Sequence, residues 1–338
     1  MKFSLPYTPG LIDYVDRLPV SGRDQIHDIY FSDPHINPTA RHFHDTDFVD
    51  NMWDDMKIMK AQHNIEMNYT MNSSVWKNDV YLPKGKQVLI DNLHTVWENG
   101  CTMLTINNLL LLRDSEFRES IPAFKIKLSV NNKVSTLDEV KFLHDHVHLK
   151  YFILDRSINR NIDEIKRIHQ WTHDKDIKLT LLAQEGCITK CPFKSTCDNM
   201  VSTFHDYKEH EVNDIRMIHS TRFCDAHYQD NPADVLKSPW ISPAGLILYE
   251  DYIDYIKLAG RGVDIDVLSA SLDAYINRTC SITISDLFAS HHYSENIKSI
   301  NISELEERNF SNQTSTCQNR CASCDFCDRV YDSIINDH

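Results

Sequence analysis

The chain has 338 residues but only 8 glycines, well under the usual level of about 7%, and none falls at the offsets of a Walker A loop or a dinucleotide fingerprint. Those phosphate-binding turns need glycine so that the backbone can approach closely; Gly260 and Gly262 meet Ile265 where a third would be required, and Gly85 stands alone. Thirty-five Lys and Arg against 49 Asp and Glu leave a net charge of −14, which excludes a broad nucleic-acid-tracking surface and leaves room only for a local basic pocket.

In chain order, β-branched and aromatic runs alternate with amphipathic stretches. The strand candidates are Lys2–Leu5, His27–Ser32, Ile65–Tyr69, Thr102–Ile106, Phe124–Ser129, Tyr151–Asp155, Lys178–Ala183 and Tyr252–Leu258. Between them, apolar residues three and four apart predict helices over Asp45–His63, Lys86–Asn99, Thr136–His146 and Asn161–His173, and Thr136 with Glu139 has capping-box spacing. Eight strand–helix alternations favour a (β/α)8 TIM-type barrel over an open doubly wound sheet. The barrel is expected over residues 1–276, closed by a helix at Asp264–Ile276, with an extension over 277–338. One interval breaks the rhythm. An insertion over about 184–250 separates the seventh and eighth strands, leaving the barrel at the end where such folds build active sites.

The start, MKFSLPYTPGLIDY, breaks at Pro6, Pro9 and Gly10 before any signal-type core, and no apolar run reaches the roughly 18 residues of a membrane span. The expectation is a cytoplasmic protein whose ten cysteines are thiols or metal ligands. Eight of them fall into two groups. Cys187, Cys191, Cys197 and Cys224, all within the insertion, have the spacing C-x3-C-x5-C-x26-C. Structural zinc usually takes two tight knuckles, so this spacing leans to a [4Fe-4S] cluster, with zinc and unligated thiols as alternatives. Cys317, Cys321, Cys324 and Cys327 form CQNRCASCDFC, the mirror of a bacterial ferredoxin run. A second cluster, a zinc knot or redox-sensing thiols would each account for it.

Eighteen histidines invite a metal reading, above all His42 with His44 and His144 with His146 and His148, but neither run has strand character, and both are expected to be solvated polar positions, as is His291-His292. No Gly-x-Ser-x-Gly elbow occurs. Residues where barrel strands end carry more weight: Asn68, Ser129, Asp155 and the Lys257–Arg261 segment are expected at the mouth.

From the seventh strand onward the sequence resembles a known family. LLAQEGCITKCPFKSTC is similar to the Asn-Glu-Gly-Cys…Cys-Pro-[Tyr/Phe]-Arg segment of the collagenase-like peptidases of family U32, which include ubiquinone-biosynthesis and tRNA-hydroxylation proteins. LDRSINRNIDEI, KSPWISPAGLILYE and DYIKLAGRG resemble further segments of that family in the same order, and the cysteine-rich tail is similar to an ending found in some members. Gln184, Lys194 and Ser242 depart from the usual Asn, Arg and Arg.

The resemblance implies a barrel holding an oxygen-sensitive [4Fe-4S] cluster on Cys187, Cys191, Cys197 and Cys224. It implies either peptidase activity or oxygen-independent hydroxylation of an RNA base or a small aromatic or quinone-like substrate, with prephenate as oxygen donor. A third reading is a non-catalytic iron–sulfur subunit with a heteromeric protein partner. The candidate catalytic residues are Asn68, Asp155, Glu185, Lys257 and Arg261, and the candidate substrate-binding residues Arg41, Ser129, Arg160, Lys257 and Arg261, chosen because an anionic donor would want cations in a partly desolvated mouth.

Overall fold

The computed structural model describes all residues except 34–35, 37–50, 204–210, 212–219, 261–262, 288–294 and 338. Its eight parallel strands are β1 (Lys2–Pro6), β2 (Ile26–Phe31), β3 (Glu66–Met71), β4 (Met103–Ile106), β5 (Lys125–Leu128), β6 (Tyr151–Ile153), β7 (Lys178–Leu182) and β8 (Tyr255–Lys257). Each pairs with the next and β8 returns to β1, Ser4 standing opposite Lys257, so the sheet closes into the expected barrel.

The helices follow from the same alternation. Leu137–Val147 begins at Thr136, whose hydroxyl accepts from the Glu139 amide while the Glu139 carboxylate accepts from the Thr136 amide, so the expected capping box is present. Its apolar face buries Val140, Leu143 and Val147 against the barrel. Ile162–Thr172 buries Ile165 and Ile168 in the same way from an Asn161 cap. Met52–His63 covers the described part of the helix expected from Asp45. Ile265–Asn277 closes the barrel, tied to the helix Leu11–Arg17 by Tyr14 donating to Asp273 at 2.6 Å. The histidines of the 144–148 run are polar helix-end positions, as expected. His144 and His146 contact the Leu149 and Phe142 carbonyls, and His148 is the left-handed C-cap.

The interior of this barrel is polar where bulky aliphatic layers are usual. Asp28, wholly buried, accepts from Ser4 at 2.8 Å, from Asn68 at 2.7 Å and from the Lys127 ammonium at 2.9 Å, while Thr105 donates to Asn68 at 2.9 Å. Five strands thus contribute to one hydrogen-bonded network. The register between β1 and β2 steps from Phe3–Ile26 to Ser4–Asp28, so His27 is a bulged residue, and its ring stacks on Tyr255 at 4.1 Å.

Burial holds the His27 pKa below its ordinary value, despite the opposing pull of Asp28. Below about pH 6.5 the unfolded chain therefore takes up a proton that the folded chain resists, and stability falls on acidification. His27→Phe, which keeps the stacking, is expected to make that fall shallower; urea midpoints at about pH 7.5 and pH 5.5 check it.

Candidate functional site

The insertion starts directly off β7. Ala183 accepts from the Ile241 amide at 2.9 Å, and Gly186 accepts from the Tyr228 hydroxyl at 2.8 Å, so both ends of the insertion are fixed to the strand's carboxyl end. Gln184 is held on three sides: it donates to Ser271 and to the Leu287 carbonyl and accepts from the Ala259 amide. Farther out, Ser202 binds Ser74 in the loop after β3, and Lys133 after β5 donates to Ser195 at 2.7 Å. The insertion therefore lies across the mouth from β7 toward β3 and β5.

Two helices carry half of the first cysteine group. Cys197 lies on Lys194–Ser202, with Cys191 just before it, and Cys224 on Ser220–Asp230. The exposed rings of Phe193 and Phe223, each next to this group in sequence, meet edge to face at 5.0 Å and join the two helices. Cys224 lies within electrostatic reach of Cys191 and Cys197; burial, with these two thiols and Asp225, pushes its pKa up to about 11. Cys187 is driven up mainly by burial and further by Glu185, against the pull of Lys194 and Arg156. As thiols these groups are neutral at pH 7, and metal binding would release their protons. Among the described residues no three His, Cys, Asp or Glu side chains are already gathered for a metal ion.

The other anticipated residues occupy distinct positions. Asn68 is not at the mouth. β3 runs on to Met71, so Asn68 is mid-strand and wholly buried in the Asp28 network, which corrects the expectation drawn from a strand ending at Tyr69. Ser129 follows β5 and caps a short turn by accepting from the Asn131 amide. Asp155 follows β6 and caps the Arg156–Arg160 turn through the Ser157 amide at 2.9 Å. Glu185 pairs with Arg156 at 2.9 Å beside Cys187. Lys257 ends β8 with its ammonium 3.0 Å from the centre of the Tyr30 ring, a cation–π contact inside the mouth.

Arg160 sits elsewhere. It is 2% exposed, donates to the Leu236 carbonyl at 3.1 Å and to the Ser238 carbonyl, and stacks over Phe310 at 5.4 Å. It is a strut between insertion and extension and not a cation open to a substrate. Arg41 and Arg261 lie outside the described residues, as do His42, His44, His291 and His292.

Sequence reasoning missed Arg156, Tyr30 and the Asp28–Lys127 pair. The available signal was alternation: Asp28 with Tyr30, and Lys125 with Lys127, are polar positions two apart in strands whose other face is apolar.

Fold and site define a (β/α)8-barrel protein whose mouth is crossed by a cysteine-bearing insertion. No family model matches the chain. It is 21% identical over 282 residues to an uncharacterized protease of Methanocaldococcus jannaschii, covering 81% of this chain and 78% of that protein. A solved U32 peptidase structure shares the fold, with a TM-score of 0.50 and 12% identity over 78% of this chain and 94% of that one. With the ordered motifs around Cys187, these likenesses bear out the resemblance of the chain to U32 peptidases. Among the described residues no helix is long and apolar enough to cross a membrane.

Proposed function

We propose that the chain binds a [4Fe-4S] cluster through Cys187, Cys191, Cys197 and Cys224 and acts in oxygen-independent hydroxylation of an RNA base or a small aromatic or quinone-like substrate. The observation that carries this reading is the insertion itself: four soft donors stand on one segment fastened over the carboxyl end of a barrel. The donor set fits the group. Cys224 neighbours Cys191 and Cys197, and Arg156 and Lys194 lie near Cys187, where their positive charge offsets the charge that thiolate ligation brings. When bound, such a cluster supplies or accepts single electrons.

The remaining roles fall to the chain. Lys257, its ammonium over Tyr30, offers a cation to an anionic oxygen donor such as prephenate, and the low dielectric of the mouth strengthens that attraction. Arg156 and Glu185 fix the segment that leads into Cys187.

A peptidase is the second reading, favoured by the description of the archaeal relative as a protease. The described histidine–carboxylate pairs that would orient a general base are His63 with Asp16, His173 with Asp174 and His227 with Asp234, and no described hydroxyl or thiol is hydrogen-bonded to any of the three rings.

Mass spectrometry of RNA and quinones from host cells with and without the gene separates the readings. The hydroxylase reading predicts one hydroxylated species that disappears without the gene and is not restored by Cys187→Ser. Unchanged profiles, with casein cleavage that survives Cys187→Ser, would support the peptidase instead.

A further inference from the structure

We infer that the tail cysteines Cys317, Cys321, Cys324 and Cys327 form a second, thiolate-ligated metal site that latches the C-terminal extension onto the loops carrying the first cysteine group. The inference stands apart from the proposed function, since it concerns other ligands and survives if the first group binds nothing.

The strap that carries these cysteines is fastened at several points. After Cys317 the chain turns through Gln318 and Asn319, both left-handed at φ 54°, and so doubles back toward Cys321. The Gln318 amide donates to the Arg160 carbonyl at 2.7 Å, Asn319 donates to the Ser157 carbonyl at 3.0 Å, and Lys190, from the first cysteine segment, donates to the Asn319 carbonyl at 2.9 Å. Lys237 bridges Asp234 at 2.8 Å and Asp328 at 2.7 Å. Cys327 points its sulfur at the Leu236 carbonyl, 3.6 Å away, and the neighbouring Thr189 hydroxyl donates to the Lys237 carbonyl. Residues 187–190, 234–238 and the tail thus form one contact region, with Arg160 at its base.

Two further observations point to a ligand. Cys317, Cys321 and Cys327 lie within one another's electrostatic reach, and Arg160 and Lys237 both act on Cys321 and Cys327, with Lys190 adding to Cys321. A tetrathiolate centre carries net negative charge, and Arg160 and Lys190 offset part of it, Lys237 being already paired with Asp234 and Asp328. Beside Cys321 a cavity of about 410 Å³ is lined by Lys190, Lys237, Asn319 and Arg320, which leaves room for the strap to close on a metal. Cys324 is exposed and would supply the solvent-side ligand. Zinc and an iron–sulfur cluster share this chemistry, and metal analysis distinguishes them.

The test uses the full-length protein purified without oxygen, with iron, zinc and sulfide counted in wild type, Cys224→Ser, Cys324→Ser and the double variant Cys321→Ser/Cys327→Ser. Cys224→Ser should keep the tail metal. The double variant should lose about one zinc, or about four iron with four sulfide, relative to wild type. Cys324→Ser, exposed and so harmless to folding, should lose the same metal to a weak chelator at least tenfold faster than wild type. Hydrogen exchange should rise at residues 187–190 and 234–238 in the double variant. Metal content equal to wild type in the double variant, or chelator release unaltered by Cys324→Ser, would overturn the site. Unchanged exchange in those two segments after the metal is lost would overturn the latch.

Discussion

Lys127→Met is expected to destabilise the barrel by about 3–5 kcal/mol, the usual cost of removing one partner from a buried ion pair. Both side chains are wholly shielded from water, and without the ammonium the Asp28 carboxylate would keep only the Ser4 and Asn68 donors. The pH response carries a second signature. In the wild type, burial alone would raise the Asp28 pKa, but Lys127, His27 and the Asn68 hydrogen bond outweigh it and hold the carboxylate below its ordinary range. Its stabilising contribution is therefore complete above the unfolded pKa of about 4 and is lost as pH falls through the folded value. In Lys127→Met burial prevails, the folded carboxyl takes its proton more readily than the unfolded one, and stability should rise as pH drops from about 7 toward 5. Urea midpoints across that range distinguish the two slopes, and a variant whose midpoint falls in parallel with wild type would refute the account of the pair.

The second large effect is expected at Arg160. Arg160→Met keeps much of the side chain's length but takes the charged donor from the Leu236 and Ser238 carbonyls, leaving them the Cys327 thiol and the Trp240 amide, and removes the cation over Phe310. Hydrogen bonds from a charged group contribute about 1.5–3 kcal/mol each, so a loss of about 3 kcal/mol is expected. Both carbonyls accept from one terminal nitrogen of the guanidinium, so Arg160→Lys, whose ammonium carries three donors, should recover more of the loss than Arg160→Met does. Limited proteolysis should cut the extension first, since Phe310 and the tail strap lose their common anchor. Cleavage that begins within the barrel instead would place the role of Arg160 elsewhere.

These two sites mark what the sequence could and could not convey. All eight strands were legible because each is a short apolar or β-branched run between polar breaks, and the insertion was legible as an interval too long for one helix. Strand ends were less so. In MNYTM the alternation continues past Tyr69, and that extension moves Asn68 from the rim to the interior. Asp28 and Lys127 lie 99 residues apart, so only the closed register brings them together. Within LDRSINR the sequence presents two arginines without saying which faces the mouth. The Arg156–Arg160 turn sends Arg156 to Glu185 beside Cys187 and Arg160 into the seam with the extension. The cysteines were legible as a pattern on an insertion, whereas the docking of the tail against that same insertion depends on contacts such as Lys190 with Asn319 that no spacing encodes.

An anaerobic count of iron and acid-labile sulfide in wild type and Cys224→Ser tests most directly whether the first cysteine group holds a cluster. If it does, that single substitution removes about four iron and four sulfide per chain, together with part of the absorption near about 400 nm. Iron content that is unchanged by Cys224→Ser, or a colourless wild-type protein that contains only zinc, would contradict it.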